Sequence, residues 1–324
     1  MNRFTFSIAV LSIFFCSCSK RLGEVKEPDF EVTTEKTTYK AGESVLFNFT
    51  NAADIISFYS GAAGNNYLFK DSGQIIPVAD YGATLEFSTQ LAGTGTQANQ
   101  LSVWVSNDYD GKTDFASVKA ATWTEITSLF KLATSTTILA AGTKDISSYF
   151  NAGKPVYIGF KYLTKSQVAN QPARIWYVQS LLVKSLAPLV NGQPVLITDH
   201  EHSGFQVINQ FPVDAPSLSN IAATRITLLG NAFRIPADST YVPGSPYNDP
   251  QTETWAISKA LTKSPVTLAR DFSIAVKGIN TDVLPGFSYT YNAPGTYKAV
   301  FIGSNGNVEQ TKTVIKELQL VIEP

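Results

Sequence analysis

The chain has almost no sulfur. Its 324 residues hold two cysteines and one methionine. Both cysteines, Cys16 and Cys18, stand near the start, so the rest has neither a disulfide framework nor a cysteine metal site. Histidine is as scarce, with His200 and His202 alone. Charge is sparse and balanced: 25 Lys+Arg face 26 Asp+Glu, and only 16% of residues are charged. Without a basic stripe, the sequence-independent attraction to phosphate is missing, and no nucleic-acid partner is expected. No apolar run reaches the roughly 20 residues that span a bilayer. No Gly-x-Ser-x-Gly elbow occurs, and two histidines two residues apart make a Ser-His-Asp site a poor fit. Paired carboxylates of a glycan hydrolase cannot be judged from spacing, because that chemistry is defined by a distance. The expectation is a non-catalytic protein.

Ser, Thr, Asn and Gln fill the place of charge, with 14 Tyr, 20 Phe and 4 Trp. A polar, uncharged surface rich in aromatics suits extracellular β proteins. It also suits sugars, which present hydroxyls for hydrogen bonds and flat C–H faces for stacking. The length favours about two domains, each with a core of its own.

Residues 1–18 read as a signal peptide. Asn2-Arg3 is a short positive region, and Phe4 to Phe15 is an apolar run too short to cross a membrane. The run ends Phe15-Cys16-Ser17-Cys18, which resembles a lipobox. Cys18 has small residues before it and is the expected lipidation site; Cys16 has bulky Phe15 at the small position. The alternative is an ordinary signal peptide with an incidental cysteine. Several acyl chains on one cysteine would hold the protein firmly, at about 0.8 kcal/mol per buried CH₂. Residues 19–28 read as a tether.

The stretch from Leu85 to Val183 alternates apolar and polar residues in pieces that end in turn signals, the pattern of half-buried antiparallel strands. This predicts an all-β chain with a jelly-roll β-sandwich over residues 77–264. Before it, Val45, Phe47 and Phe49 alternate, and IISFYSG forms a further strand. Some 45 residues are too few for an Ig sandwich, which takes about 100. The complement lies at the other end, in DFSIAVKG, FSYTYNAPGTYKAVFIGSN and TVIKELQLVIEP. The expectation is one discontinuous Ig-like domain of the PKD (polycystic-kidney-disease repeat) type, residues 29–76 with 265–324. The alternatives are two independent pieces, or a C-terminal Ig domain with the first strands packed elsewhere. Asp145 is expected to cap a turn of helix at DISSYF.

The segments Phe47-Asn48-Phe49, Phe58-Tyr59-Ser60-Gly61, Val105 to Gly111, Ala121-Thr122-Trp123 and Tyr157 to Tyr162 carry a resemblance. Their order is similar to that in a Bacteroidetes lipoprotein family with no assigned function. Its members join a PKD-like segment to a jelly roll of the choice-of-anchor or cleaved-adhesin kind. The resemblance implies an outer-membrane, surface-facing lipoprotein near a SusC/SusD-type uptake complex, with polysaccharide or surface glycan as partner. It supplies no catalytic residues. The residues after Cys18 lack the acidic run that often marks surface export in such proteins.

Four constellations compete with plainer readings. Asp108, Asp110 and Asp114 alternate beside Gly111 and offer hard oxygens for Ca²⁺; the plain reading is a solvated turn. His200 and His202, on a strand, would share one side and chelate a metal; the plain reading is a surface loop. Trp104 and Trp176 sit in alternating strands, and each either stacks on sugar or fills the core. Trp123 and Trp255 read as packing residues. Tyr241 and Tyr247, on the proline-rich segment 233–251, are expected ligand contacts unless they pack their own loop. A structural accessory subunit with a protein partner is the alternative to glycan binding, and a glycan hydrolase the third reading.

Overall fold

A computed structural model describes residues 23–51, 53–150, 153–170, 172–232 and 249–324. Among these residues the chain is all-β apart from two short helices, Phe115–Ala120 and Gln167–Asn170, and single 3-10 turns. It divides into two compact units.

The first unit takes the chain up to Ser60 together with Ser273–Glu323. In the strand Ser44–Thr50, period-two alternation turns Val45 and Phe47 inward and Ser44, Leu46 and Asn48 outward. This strand lies between Glu31–Thr34 and Gly286–Thr290 in an antiparallel sheet. The facing sheet runs Ile274–Lys277, Ile55–Tyr59, Gly295–Gly306, Thr311–Glu323 and Thr38–Lys40. Rings from the two sheets interdigitate. Phe47 meets Phe301 at 4.9 Å between centroids, and Phe58 meets Phe287 at 5.2 Å. That is a sandwich core held by tilted and edge-on aromatic contacts. Tyr291 donates its hydroxyl to the Ser60 carbonyl at 3.0 Å, and burial drives its phenol pKa upward.

The second unit is Gly61–Phe272. Its limits fall at 61 and 272 rather than at 77 and 264. The reason is that Gln74–Ile76 pairs with Val266–Leu268, and Ile76 and Val78 pack with Ala187 and Val195 in a small cluster. Two antiparallel sheets make the body of this unit. One orders Lys144–Asp145, Ala83–Ala92, Ile175–Ser185, Arg225–Leu228 and Asn220–Ala222, with Leu196–Asp199 and Leu139–Ala140 alongside. The other orders Gln206–Asn209, Thr252–Ile257, Tyr157–Thr164, Leu101–Ser106 and Thr124–Glu125. The chain crosses repeatedly between them, the wiring of a β-sandwich.

Leu85, Phe87 and Leu91 from the first sheet meet Val103, Ile158 and Phe160 from the second. Trp176 lies in this core at 6% exposure, so the expectation that it contacts ligand is corrected. Its strand turns Trp176 and Val178 inward, which sends Tyr177 and Gln179 out. At Ser180, with φ 55°, the register against Ala83–Ala92 shifts. The extra residue resets the parity, so Leu181 and Val183 face inward too.

Candidate functional site: an aromatic platform on the outer sheet face

In the second sheet, Val103 and Val105 point into the sandwich, so Trp104 between them points out. The register carries the same parity across the sheet. Trp104 stands opposite Gly159, Gly159 opposite Ile257, and Ile257 opposite Gln206. The next row sets Ser102, Lys161, Trp255 and Ile208 side by side. Three of the four tryptophans therefore gather on this outer face. Trp123, from the segment that returns over the sheet, meets Trp255 at 4.9 Å between centroids, and Trp104 meets Trp255 at 5.9 Å. Tyr109 extends the row, 5.6 Å from Trp123 and 5.1 Å from Tyr157.

Gly159 makes this stacking feasible. A Cβ there would lie 3.0 Å from Trp123 and 3.1 Å from Trp255. A glycine inside a strand often marks such a close approach. Each indole N–H has a partner: Trp104 donates to Ser102 Oγ at 2.8 Å, Trp123 to the Val118 carbonyl at 3.0 Å, and Trp255 to Glu253 Oε2 at 3.4 Å. The rings are thus fixed in orientation. Trp255 is buried, whereas Trp104 and Trp123 are half-buried.

Lys161 completes the platform. Its ammonium lies 5.7 Å from the Trp104 ring centroid and 5.6 Å from that of Trp255, within cation–π range. It also pairs with Glu253 Oε1 at 3.1 Å. The two side chains are 22% and 20% exposed, enough to offer hydrogen bonds from the edge of the platform. The patch is apolar at its centre, polar at its rim and electrically balanced.

The three aspartates build the segment that covers part of this face. Asp108 Oδ1 accepts the Thr122 N–H at 2.8 Å and the Ser106 hydroxyl at 2.9 Å, tying the start of the segment to its end. These bonds, Thr122's foremost, hold its carboxyl below the usual aspartate range. Asp110 pairs with Lys112 at 2.9 Å and accepts from Ser117 Oγ at 3.2 Å. Asp114 caps the helix Phe115–Ala120 by accepting the Ser117 N–H at 2.8 Å. Asp110 and Asp114 both approach the Ser117 hydroxyl, at 3.2 and 3.0 Å, whereas Asp108 is engaged apart from them by Ser106 and Thr122. Among the described residues no group of three or more His, Cys, Asp or Glu is placed to hold a metal ion, so the calcium expectation is corrected to a hydrogen-bonded turn.

The histidines do not lie on a strand. His200 precedes a 3-10 turn, Glu201–Ser203, and His202 lies within it, with its Nδ1 2.7 Å from Asp199 Oδ1; both ring nitrogens of His200 are buried. Cys18, Tyr241 and Tyr247 lie outside the described residues. Trp123, Trp255, Lys161, Glu253 and Gly159 were not marked as site residues by sequence reasoning. The one signal in the letters is Gly159 inside an otherwise bulky strand; which way Trp104 and Trp255 face is decided by the opposing sheet.

A family model described as a domain of unknown function, DUF5017, matches residues 17–205, more than half of the 324-residue chain. The chain belongs to the DUF5017 family. Trp104, Trp123, Gly159 and Lys161 fall inside the DUF5017 match, whereas Glu253 and Trp255 fall beyond it. No curated protein and no solved structure matches the chain.

Proposed function

We propose that this protein binds glycan without catalysis, using the outer-face platform of Trp104, Trp123 and Trp255. The supporting observation is the half-buried Trp104 ring on the outer face, bonded to Ser102 and edged by the Lys161–Glu253 pair. An indole face stacks on the C–H face of a pyranose, and the ion pair offers both a donor and an acceptor to its hydroxyls. Removing this half-buried ring takes away contact area and uncovers part of Trp255, but leaves the core between the two sheets in place. The carboxylates near the platform are occupied: Glu253 by Lys161 and Trp255, and Glu125 by the Thr127 hydroxyl at 2.9 Å.

The same reading makes the protein a lipoprotein anchored through Cys18 at the outer membrane. The PKD-like first unit serves as a stalk, and a SusC/SusD-type uptake complex is the neighbour. The lipobox and the uncharged, aromatic-rich composition support this, and Cys18→Ala should move the protein from the membrane fraction to the soluble one.

Affinity electrophoresis through gels cast with a panel of polysaccharides tests the binding claim. Wild type should be retarded by at least one polysaccharide, and Trp104→Ala should lose that retardation while still showing a cooperative thermal melt, at a Tm lowered by the lost packing on Trp255. Equal retardation of both proteins would reject the platform. Product release from a retained glycan would reassign the protein as a hydrolase. No retardation on any gel would favour the accessory-subunit alternative.

A further inference from the structure

A small cleft of about 180 Å³ opens on the same sheet face. The rings of Tyr109 and Tyr157 wall it, perpendicular to each other, and Ile208 and Ile257 form its apolar base. Thr113, Gln206 and Lys259 stand at its polar rim. The volume lies below the roughly 300 Å³ at which whole small-molecule sites begin, so it suits one ring rather than an oligomer.

Two glycines keep the rim open. Gly111 and Gly204 both have left-handed backbones, at φ 79° and 60°. A Cβ on Gly204 would stand 3.2 Å from the Lys259 stem and crowd it. Lys259 is exposed and pairs with no carboxylate among the described residues. The nearby acids are already committed: Asp110 to Lys112 and Ser117, and Asp114 to the helix start. Lys259 therefore sets at the rim of an aromatic-walled hollow an ammonium that no carboxylate among the described residues approaches within ion-pair distance.

We infer that this cleft takes a carboxylate-bearing sugar unit, a uronate, of the bound glycan. The inference rests on the glycan-binding reading above. The tyrosine rings and isoleucines would meet the C–H faces of the sugar, the Lys259 ammonium its carboxylate, and Gln206 and Thr113 its hydroxyls. Position supports the link to the platform. Gln206, Ile257, Gly159 and Trp104 lie in one row across four adjacent strands. At about 4.8 Å per strand, the row spans about 14 Å, a length that a short oligosaccharide crossing the strands can cover.

Polygalacturonate and its fully methyl-esterified form separate the two claims, because esterification removes the charge and leaves the backbone. In affinity gels at low salt, wild type should be retarded more strongly by the acid form. Lys259→Met should bring that retardation down to the level seen with the ester, a loss of five-fold or more in affinity. Lys298→Met, a charge-matched change in the other unit, should behave as wild type. Thermal melts confirm that both variants fold. Equal retardation of wild type by acid and ester overturns the uronate site. So does a Lys259→Met protein still retarded as wild type by the acid form. If other, neutral polysaccharides still retard wild type, the glycan-binding reading survives that loss. If no polysaccharide of any kind does, both fall together.

Discussion

Gly159→Ala adds one methyl group under the platform, and its effect follows from the geometry. The new Cβ would stand 3.0 Å from Trp123 Cζ3 and 3.1 Å from Trp255 Cε3 and Cζ3, so both indoles must retreat by a few tenths of an ångström. Neither moves freely. Trp123 is tied to the Val118 carbonyl, and Trp255 is 4% exposed between Trp104 and Trp123. Overpacking of this kind costs about 1–3 kcal/mol. Alanine recovers about 0.5–1 kcal/mol of the backbone entropy that glycine loses in a strand. The net is a destabilisation of about 1 kcal/mol, or about 2–4 °C in Tm for a unit of this size. The assay is thermal unfolding followed by circular dichroism, with tryptophan emission recorded on the folded protein. Emission should shift because the displaced rings are two of four tryptophans. An unchanged or raised Tm with unchanged emission would show that the indoles do not rest on this backbone.

Other changes have different expected outcomes. Phe301→Ala removes a ring packed against Phe47, Phe49 and Phe58, and should cost about 3–5 kcal/mol in the first unit by denaturant titration. Asp114→Ala removes the cap of Phe115–Ala120 and should cost about 0.5–2 kcal/mol, with a shift in emission because Trp123 is anchored to Val118 in that helix. His200 is held below its usual 6.5 by burial, so the unfolded chain binds its proton more readily than the folded one. Its contribution is complete above pH 6.5 and is lost as pH falls through the lower, folded value. Tm should drop as pH falls below 6.5, and His200→Gln should flatten that part of the profile; parallel wild-type and variant profiles would count against it.

Much of the architecture was legible because exposure alternates with period two. SVLFNFT and LEFSTQLA turn one side to a core and announce it in their letters. The turn expected at DISSYF is present at Ser147–Tyr149, with Asp145 accepting the Ser147 N–H at 2.7 Å. The face was not legible. Trp104 and Trp176 sit in similar alternating strands, yet one points out and the other in. Parity assigns residues to two sides; only the opposing sheet decides which side is core. The helix Phe115–Ala120 escaped because six residues carry too little periodicity, although Asp114 three residues before Ser117 is a capping signal. The aspartates misled for a related reason. Alternating carboxylates suit a cation and a self-capping turn equally, and only the placement of Thr122, Lys112 and Ser117 separates the two.

The most direct test of the central claim is tryptophan emission during titration with an oligosaccharide derived from a retarding polysaccharide. Emission should change saturably in wild type and in Trp176→Phe, whose ring lies in the core, and should stay flat in Trp104→Ala. A saturable change that survives in Trp104→Ala at full amplitude and unchanged affinity would contradict the platform as the place where glycan binds.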